Sequence, residues 1–212
     1  MVVAARPDTP CLEPLQLPLQ LAQEVRLSPE QFELVCQANP DVVLELSADG
    51  HLIAMTPAGS ETSARNSTLV VLLGLALRAS GLPFKLFDSS GGFRLPDGSV
   101  LSPDGSLVRL ERWQALAPEQ QGTFAPLCPD LVVELASSSD EGPRGVSALR
   151  QKMELYRRNG AQLGWLLLPA EQAVEIWRAG DAPAQRIAPA TTLDAGDLFP
   201  GLQIELAEIW QG

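Results

Sequence analysis

Glu134 lies inside an otherwise apolar run, "CPDLVVELAS", of the kind that forms a buried strand. A carboxylate taken out of water without a partner costs several kcal/mol or gives up its charge, so this acid needs a neighbour that accounts for it. Strand alternation places Val132, Glu134 and Ala136 on one face and Leu131, Val133 and Leu135 on the other. The segment that follows, "GVSALRQKMELYRRNG", is predicted to be a helix whose apolar stripe is Val146, Leu149, Met153 and Tyr156. Lys152 borders that stripe, one turn before Tyr156, and can reach inward over the sheet. Asp104 follows Pro103 at the entry of an earlier strand, where a proline begins a strand without losing a ladder bond. Two carboxylates from neighbouring strands with a lysine between them suit a hard cation: Mg²⁺ takes one or two protein carboxylates, keeps waters and leaves positions for a substrate phosphate. Such a cation acidifies water, and a lysine can orient that water or help deprotonate it. A plainer reading of the same residues has Asp104 as a turn former after proline, and Glu134 with Lys152 as an ion pair fixing helix to sheet.

The rest of the composition narrows the chemistry. One histidine, His51, on a polar "ADGH" turn, excludes zincin and three-histidine zinc sites and leaves no base for a Ser-His-Asp triad. No P-loop and no dinucleotide fingerprint are present. The three cysteines, Cys11, Cys36 and Cys128, are far apart and odd in number, which suggests neither a disulfide framework nor a zinc site, and fits reduced thiols in the cytoplasm. The N-terminus does not resemble a signal peptide, and "LVVLLGLAL" is too short to cross a bilayer, so no membrane association is expected. A net charge of −11 argues against broad, non-specific nucleic-acid binding. The cations are nevertheless gathered: Arg144, Arg150, Lys152, Arg157 and Arg158 stand against Glu154 alone between 144 and 158. They read as a solvated helix face, and Arg144 and Arg150 are the candidates for contacting phosphate.

The elements that must position these groups can be read in order. Residues 1–27 form a proline-rich arm with loosely alternating leucines, "LEPLQLPLQL", lying on a neighbouring subunit or free as a tail. Ser28, Pro29 and Gln31 open a short helix ending before Pro40. "VVLELSADGHLIAM" reads as two strands around an Asp-Gly turn, with Glu45 in the first. A helix over 62–79 ends at Gly81, and short strands follow in "FKLFD", "GFRLPDG" and "LSPDGSLVRL". "RWQALAPEQQG" is a polar loop or short helix; then come strand, helix and the strands "LGWLLL" and "AVEIWR". Residues 28–212 are therefore expected to form one α/β domain around a mixed sheet.

"LSPDGSLV", "CPDLVVELAS" and "RQKMELYRRNGAQLGWLL", in that order, resemble the Uma-two family of endonucleases in the PD-(D/E)XK superfamily. The likeness runs over roughly residues 28–210 and takes in "GSETSARNSTLV", "GGFRLPDG" and "LFPGLQIELAEIW". It implies a restriction-endonuclease-like mixed β-sheet flanked by helices, with Asp104 as the motif aspartate and Glu134 as its second acid. Where the superfamily's lysine stands two residues on, this chain has Ala136; the family resembled takes its lysine from the next helix, and Lys152 matches that place. Only two lysines occur, Lys85 and Lys152, and lysine can shift its pKa where arginine cannot, which favours a chemical role. Glu45 corresponds to the family's upstream acid. A closing Asp-Pro is replaced by Leu168-Pro169, a change in a loop.

The resulting expectation is a DNA endonuclease using Mg²⁺, with Mn²⁺ as a possible substitute, in which Asp104 and Glu134 hold the metal, Lys152 serves the water and Glu45 assists. A silent nuclease-fold binding module, and a metal-dependent hydrolase of another phosphate ester, remain as alternatives. The uncharged leucines of the arm suggest at least a homodimer.

Overall fold

The computed structural model describes residues 25–55, 58–140 and 143–211; most of the arm, residues 1–24, lies outside them. Helix α1 (Pro29–Ala38) begins as the sequence predicts. Ser28 Oγ accepts from the Gln31 amide at 3.3 Å, and the Ser28 amide donates to Gln31 Oε1 at 2.9 Å. The hairpin follows as β1 (Leu44–Leu46) and β2 (Leu52–Ala54). Helix α2 (Ser60–Ser80) stops where Gly81 takes a left-handed φ of 66°. Then come β3 (Phe84–Asp88), β4 (Phe93–Arg94), β5 (Val100–Leu101) and β6 (Gly105–Arg109). "RWQALAPEQQG" resolves into two short helices, α3 (Leu110–Gln114) and α4 (Pro118–Gln121). β7 (Leu131–Leu135), α5 (Pro143–Arg158), β8 (Leu163–Leu168) and β9 (Ala173–Arg178) complete the expected series. Beyond it are β10 (Gln185–Ile187), β11 (Thr192–Asp194), β12 (Gln203–Glu205) and α6 (Ala207–Gln211).

These strands divide among three sheets. The largest is mixed and six-stranded, in the order β10-β9-β8-β7-β6-β3, with β7 and β8 parallel and joined by the α5 crossover. A four-stranded sheet has the order β2-β1-β5-β4, and β11 pairs with β12 alone. The alternation read in β7 decides what covers each face of the large sheet. Leu131, Val133 and Leu135 pack with Leu69 and Leu73 of α2, together with Trp165. Val132 packs with Met153 and Tyr156 of α5, together with Leu166. Two glycines permit these close approaches: a Cβ at Gly105 would come within 2.9 Å of Leu73 Cδ1, and one at Gly164 would collide with the Met153 methyl.

The chain passes from the small sheet to the large one through Ser102-Pro103-Asp104, between β5 and β6. The junction of the two sheets therefore lies beside the end of β7 that carries Glu134.

Candidate active site

Register and crossover bring four separate segments to that junction. Gly105 pairs with Val133, so the next step of the antiparallel register sets Asp104 opposite Glu134. Asp104 Oδ2 accepts the Leu135 amide at 2.8 Å, which fixes the carboxylate on the strand end. Glu45 enters from β1 in the other sheet, and its Oε1 accepts the Ser102 amide at 2.8 Å. Lys152 reaches in from α5, with Nζ 2.8 Å from Glu45 Oε1 and 3.0 Å from Glu134 Oε1. It also lies 3.4 Å from the Ser102 carbonyl oxygen. One turn further along α5, the Tyr156 hydroxyl donates to Glu134 Oε1 at 3.0 Å.

The groups are withdrawn from water: Glu45 and Glu134 are 4% and 3% exposed and Tyr156 is fully buried. Burial pushes the Glu134 carboxyl up to about 8, against the downward pull of the Lys152 ammonium. Asp104 is raised as well, mainly by burial, despite the Leu135 amide and Lys152. Lys152 moves the other way from an isolated buried lysine, because Glu134 and Glu45 together outweigh its desolvation and hold it protonated well above its usual range. Desolvation and the neighbouring Glu134 also keep Tyr156 a neutral donor.

The donor set fits a divalent cation. Three carboxylates face one ammonium, so with all of them ionised two negative charges remain without a counter-charge at largely buried side chains. The hydrogen bonds and ion pairs made by each carboxylate use one oxygen: Oε1 of Glu45, Oε1 of Glu134 and Oδ2 of Asp104. Among the described residues no group of three or more Asp, Glu, His or Cys side chains is placed to hold a metal ion. A pair, Asp104 and Glu134, with water and substrate filling the remaining positions, is the form Mg²⁺ commonly takes.

Asp104, Glu134, Lys152 and Glu45 are thus brought together. Arg150 is turned elsewhere: its Nε lies 3.0 Å from both oxygens of Glu175 on β9, a two-pronged pair at the helix–sheet contact. Arg144 falls in the first turn of α5. Arg157 and Arg158 both pair with Glu154 on their own helix. Another Pro-Asp, at Asp130, belongs to the opposite end of β7, where it accepts the Arg109 amide at 2.8 Å and pairs with Arg112 at 2.9 Å.

Tyr156 went unrecognised in the sequence except as part of an apolar stripe. Its spacing of four from Lys152 was the available signal, since a buried tyrosine needs a partner for its hydroxyl. Two clefts flank the site. One of about 510 Å³ is lined by Ser63 and Asn66 of α2, by Asp88 and Ser89, and by Asp104. The other, of about 480 Å³, includes Arg65, Ala136, Ser137 and Asp140, and Thr62 borders both. Asn66 Oδ1 is buried with no hydrogen-bond partner.

Residues 29–207 match the model of the Uma2 family, described as "Putative restriction endonuclease". Among solved structures, the chain is similar to one from Anabaena variabilis ATCC 29413 described as a "putative nuclease belonging to DUF820". The TM-score is 0.68 at 17% identity, over 87% of this chain and 98% of that one, a likeness that establishes the fold as restriction-endonuclease-like. No curated protein matches.

Proposed function

Since this chain belongs to the Uma2 family, we propose that it is a divalent-metal-dependent nuclease hydrolysing phosphodiester bonds in DNA, with Asp104 and Glu134 as the metal ligands. One observation carries this reading: Lys152 is clasped between Glu45 and Glu134 at 2.8 and 3.0 Å, on the strand end that also bears Asp104. Mg²⁺, or Mn²⁺ in its place, when bound supplies Lewis acidity toward a phosphate oxygen and lowers the pKa of water.

The protein's own groups then have separable tasks. Asp104, held by the Leu135 amide, and Glu134, held by Tyr156 and Lys152, present fixed oxygens at the ends of two paired strands. Lys152 is a protonated donor in this arrangement, so its role is to orient the attacking water and to meet charge developing on the phosphate, rather than to act as the base. Glu45 fixes the ammonium through Oε1 and is itself fixed by the Ser102 amide. The clefts on either side of Asp104 and Ala136 give the substrate a route past the strand ends.

The acidic net charge and the engagement of Arg150, Arg157 and Arg158 with glutamates favour a second reading, a silent module that keeps the scaffold without cleaving. Titration calorimetry with Mg²⁺ and Mn²⁺ on the wild type and Asp104→Asn, beside a plasmid-nicking assay, separates the two. Saturable binding and nicking, both lost in the variant, support the nuclease; equal, negligible heats without nicking support the silent module.

A further inference from the structure

One of the two clefts beside the acids is lined by groups that do not suit a phosphate. Ser63, Asn66 and Val70 follow one another at spacings of three and four, which puts them on one face of α2. The register of β3 with β6 sets Asp88 against Gly105, so Ser89 comes alongside Asp104, on the side away from Glu134. Together with Asp88 and Asp104 these side chains border the cleft of about 510 Å³, the scale of a small-ligand pocket. Among the described residues its lining holds two carboxylates and neither lysine nor arginine. A phosphate there would meet charge of its own sign. What the cleft offers instead is hydroxyls, an amide and one apolar wall, the complement of an uncharged group with hydrogen-bonding edges.

The Asn66 amide is poorly satisfied by the protein itself. Its Nδ2 reaches Ser89 Oγ only at 3.4 Å, and Oδ1 is buried without a partner among the described residues. Turning the amide over exchanges its two ends and still leaves one of them unmet. A buried polar group in that state calls for a ligand or a water. Asp88 commits Oδ1 to the Ser90 amide and hydroxyl, at 3.1 and 2.6 Å, which leaves its other oxygen to accept from a ligand.

Resting on the assignment of Asp104 to the reacting phosphate, we infer that this cleft receives the nucleoside flanking that phosphate, with Asn66 bonded to the edge of its base and Val70 against its face. An uncharged sugar and base fit a lining whose only charges are negative, while the phosphate stays at Asp104 and Glu134. Asn66 is then a substrate-contacting residue and not a metal ligand.

Titration of neutral 2′-deoxynucleosides into the isotope-labelled full-length protein, followed by nuclear magnetic resonance without metal, tests the proposal. Deoxyadenosine and deoxycytidine, whose exocyclic amino groups suit an amide oxygen and a carboxylate, are expected to shift the Asn66 side-chain and Ser89 backbone resonances saturably. Inorganic phosphate should leave both in place. Asn66→Ala should weaken the response at Ser89 by about fivefold to tenfold, the scale of one hydrogen bond; if its spectrum changes beyond the cleft, Asn66→Ser takes its place. Resonances that ignore both nucleosides, that answer to phosphate alone, or that respond equally in the variant overturn the proposal and leave the amide to a water. Plasmid nicking is read separately: nicking with an unresponsive Asn66 removes the subsite and keeps the nuclease, whereas a responsive Asn66 without nicking keeps a nucleoside subsite and removes the nuclease.

Discussion

Replacing Lys152 by methionine removes the one cation that two buried glutamates share. At an effective dielectric of about 20, each contact near 3 Å is worth roughly 6 kcal/mol before desolvation. Most of that is offset by the cost of burying the charges, and removing one partner of a buried pair typically destabilises by about 3–5 kcal/mol. The double ion pair at 2.8 and 3.0 Å ties the docking of α5 to this one side chain. Lys152→Met should therefore lose about 3–5 kcal/mol in urea unfolding at pH 9, above the value of about 8 to which Glu134 is raised, and also cut nicking by ~10²–10⁴-fold per folded molecule. The two effects separate in the variant Glu45→Gln/Glu134→Gln/Lys152→Met, which removes the buried charges together: stability should return, and activity should not. A loss of less than about 1 kcal/mol in the single variant, the scale of an exposed pair, would refute the electrostatic account. Wild-type activity in the triple variant would refute the catalytic one.

Other outcomes follow from the same geometry. Glu134 is raised to about 8, so between the unfolded carboxyl value of 4.5 and that pH the folded state binds more protons than the unfolded state. Stability of the metal-free protein should then fall as pH rises from about 5 to 8; thermal melts should show a flatter profile in Glu134→Gln, and added Mn²⁺ should reduce the slope in the wild type. Tyr156→Phe removes a buried donor to Glu134 and should move the pH midpoint of Mn²⁺ binding, followed by calorimetry, upward with the fold retained. Asp130→Ala should destabilise by about 1–3 kcal/mol by leaving the Arg109 amide and Arg112 without their acceptor, with metal binding unchanged, because it stands at the other end of β7. Lys152→Arg should stay inactive in nicking assays, since the planar guanidinium cannot replace a compact ammonium between two carboxylates.

Local signals determined much of this protein. Ser28, Pro29 and Gln31 set the start of α1, Gly81 ended α2, and the two-residue period of "DLVVELA" assigned Glu134 to the face that α5 covers. These features depend on neighbours within a few residues, which is why a chain read linearly reveals them. The resemblance that singled out Asp104, Glu134, Lys152 and Glu45 was also linear, a matter of residues in order. Tertiary structure decided what linear order does not contain. The short strands β1, β2, β4 and β5 could have joined the large sheet but form their own, because strand pairing is settled by partners far apart in sequence. That separation is what lets Glu45 approach Lys152 from across a sheet junction. It was also the fold that spent Arg150 on Glu175 and gave Tyr156 to Glu134, since a polar tip on a helix finds its partner only after the helix has docked. The direction of the Lys152 shift was settled in the same way: burial alone lowers a lysine's pKa, and only the arrival of two carboxylates from two different sheets reverses it.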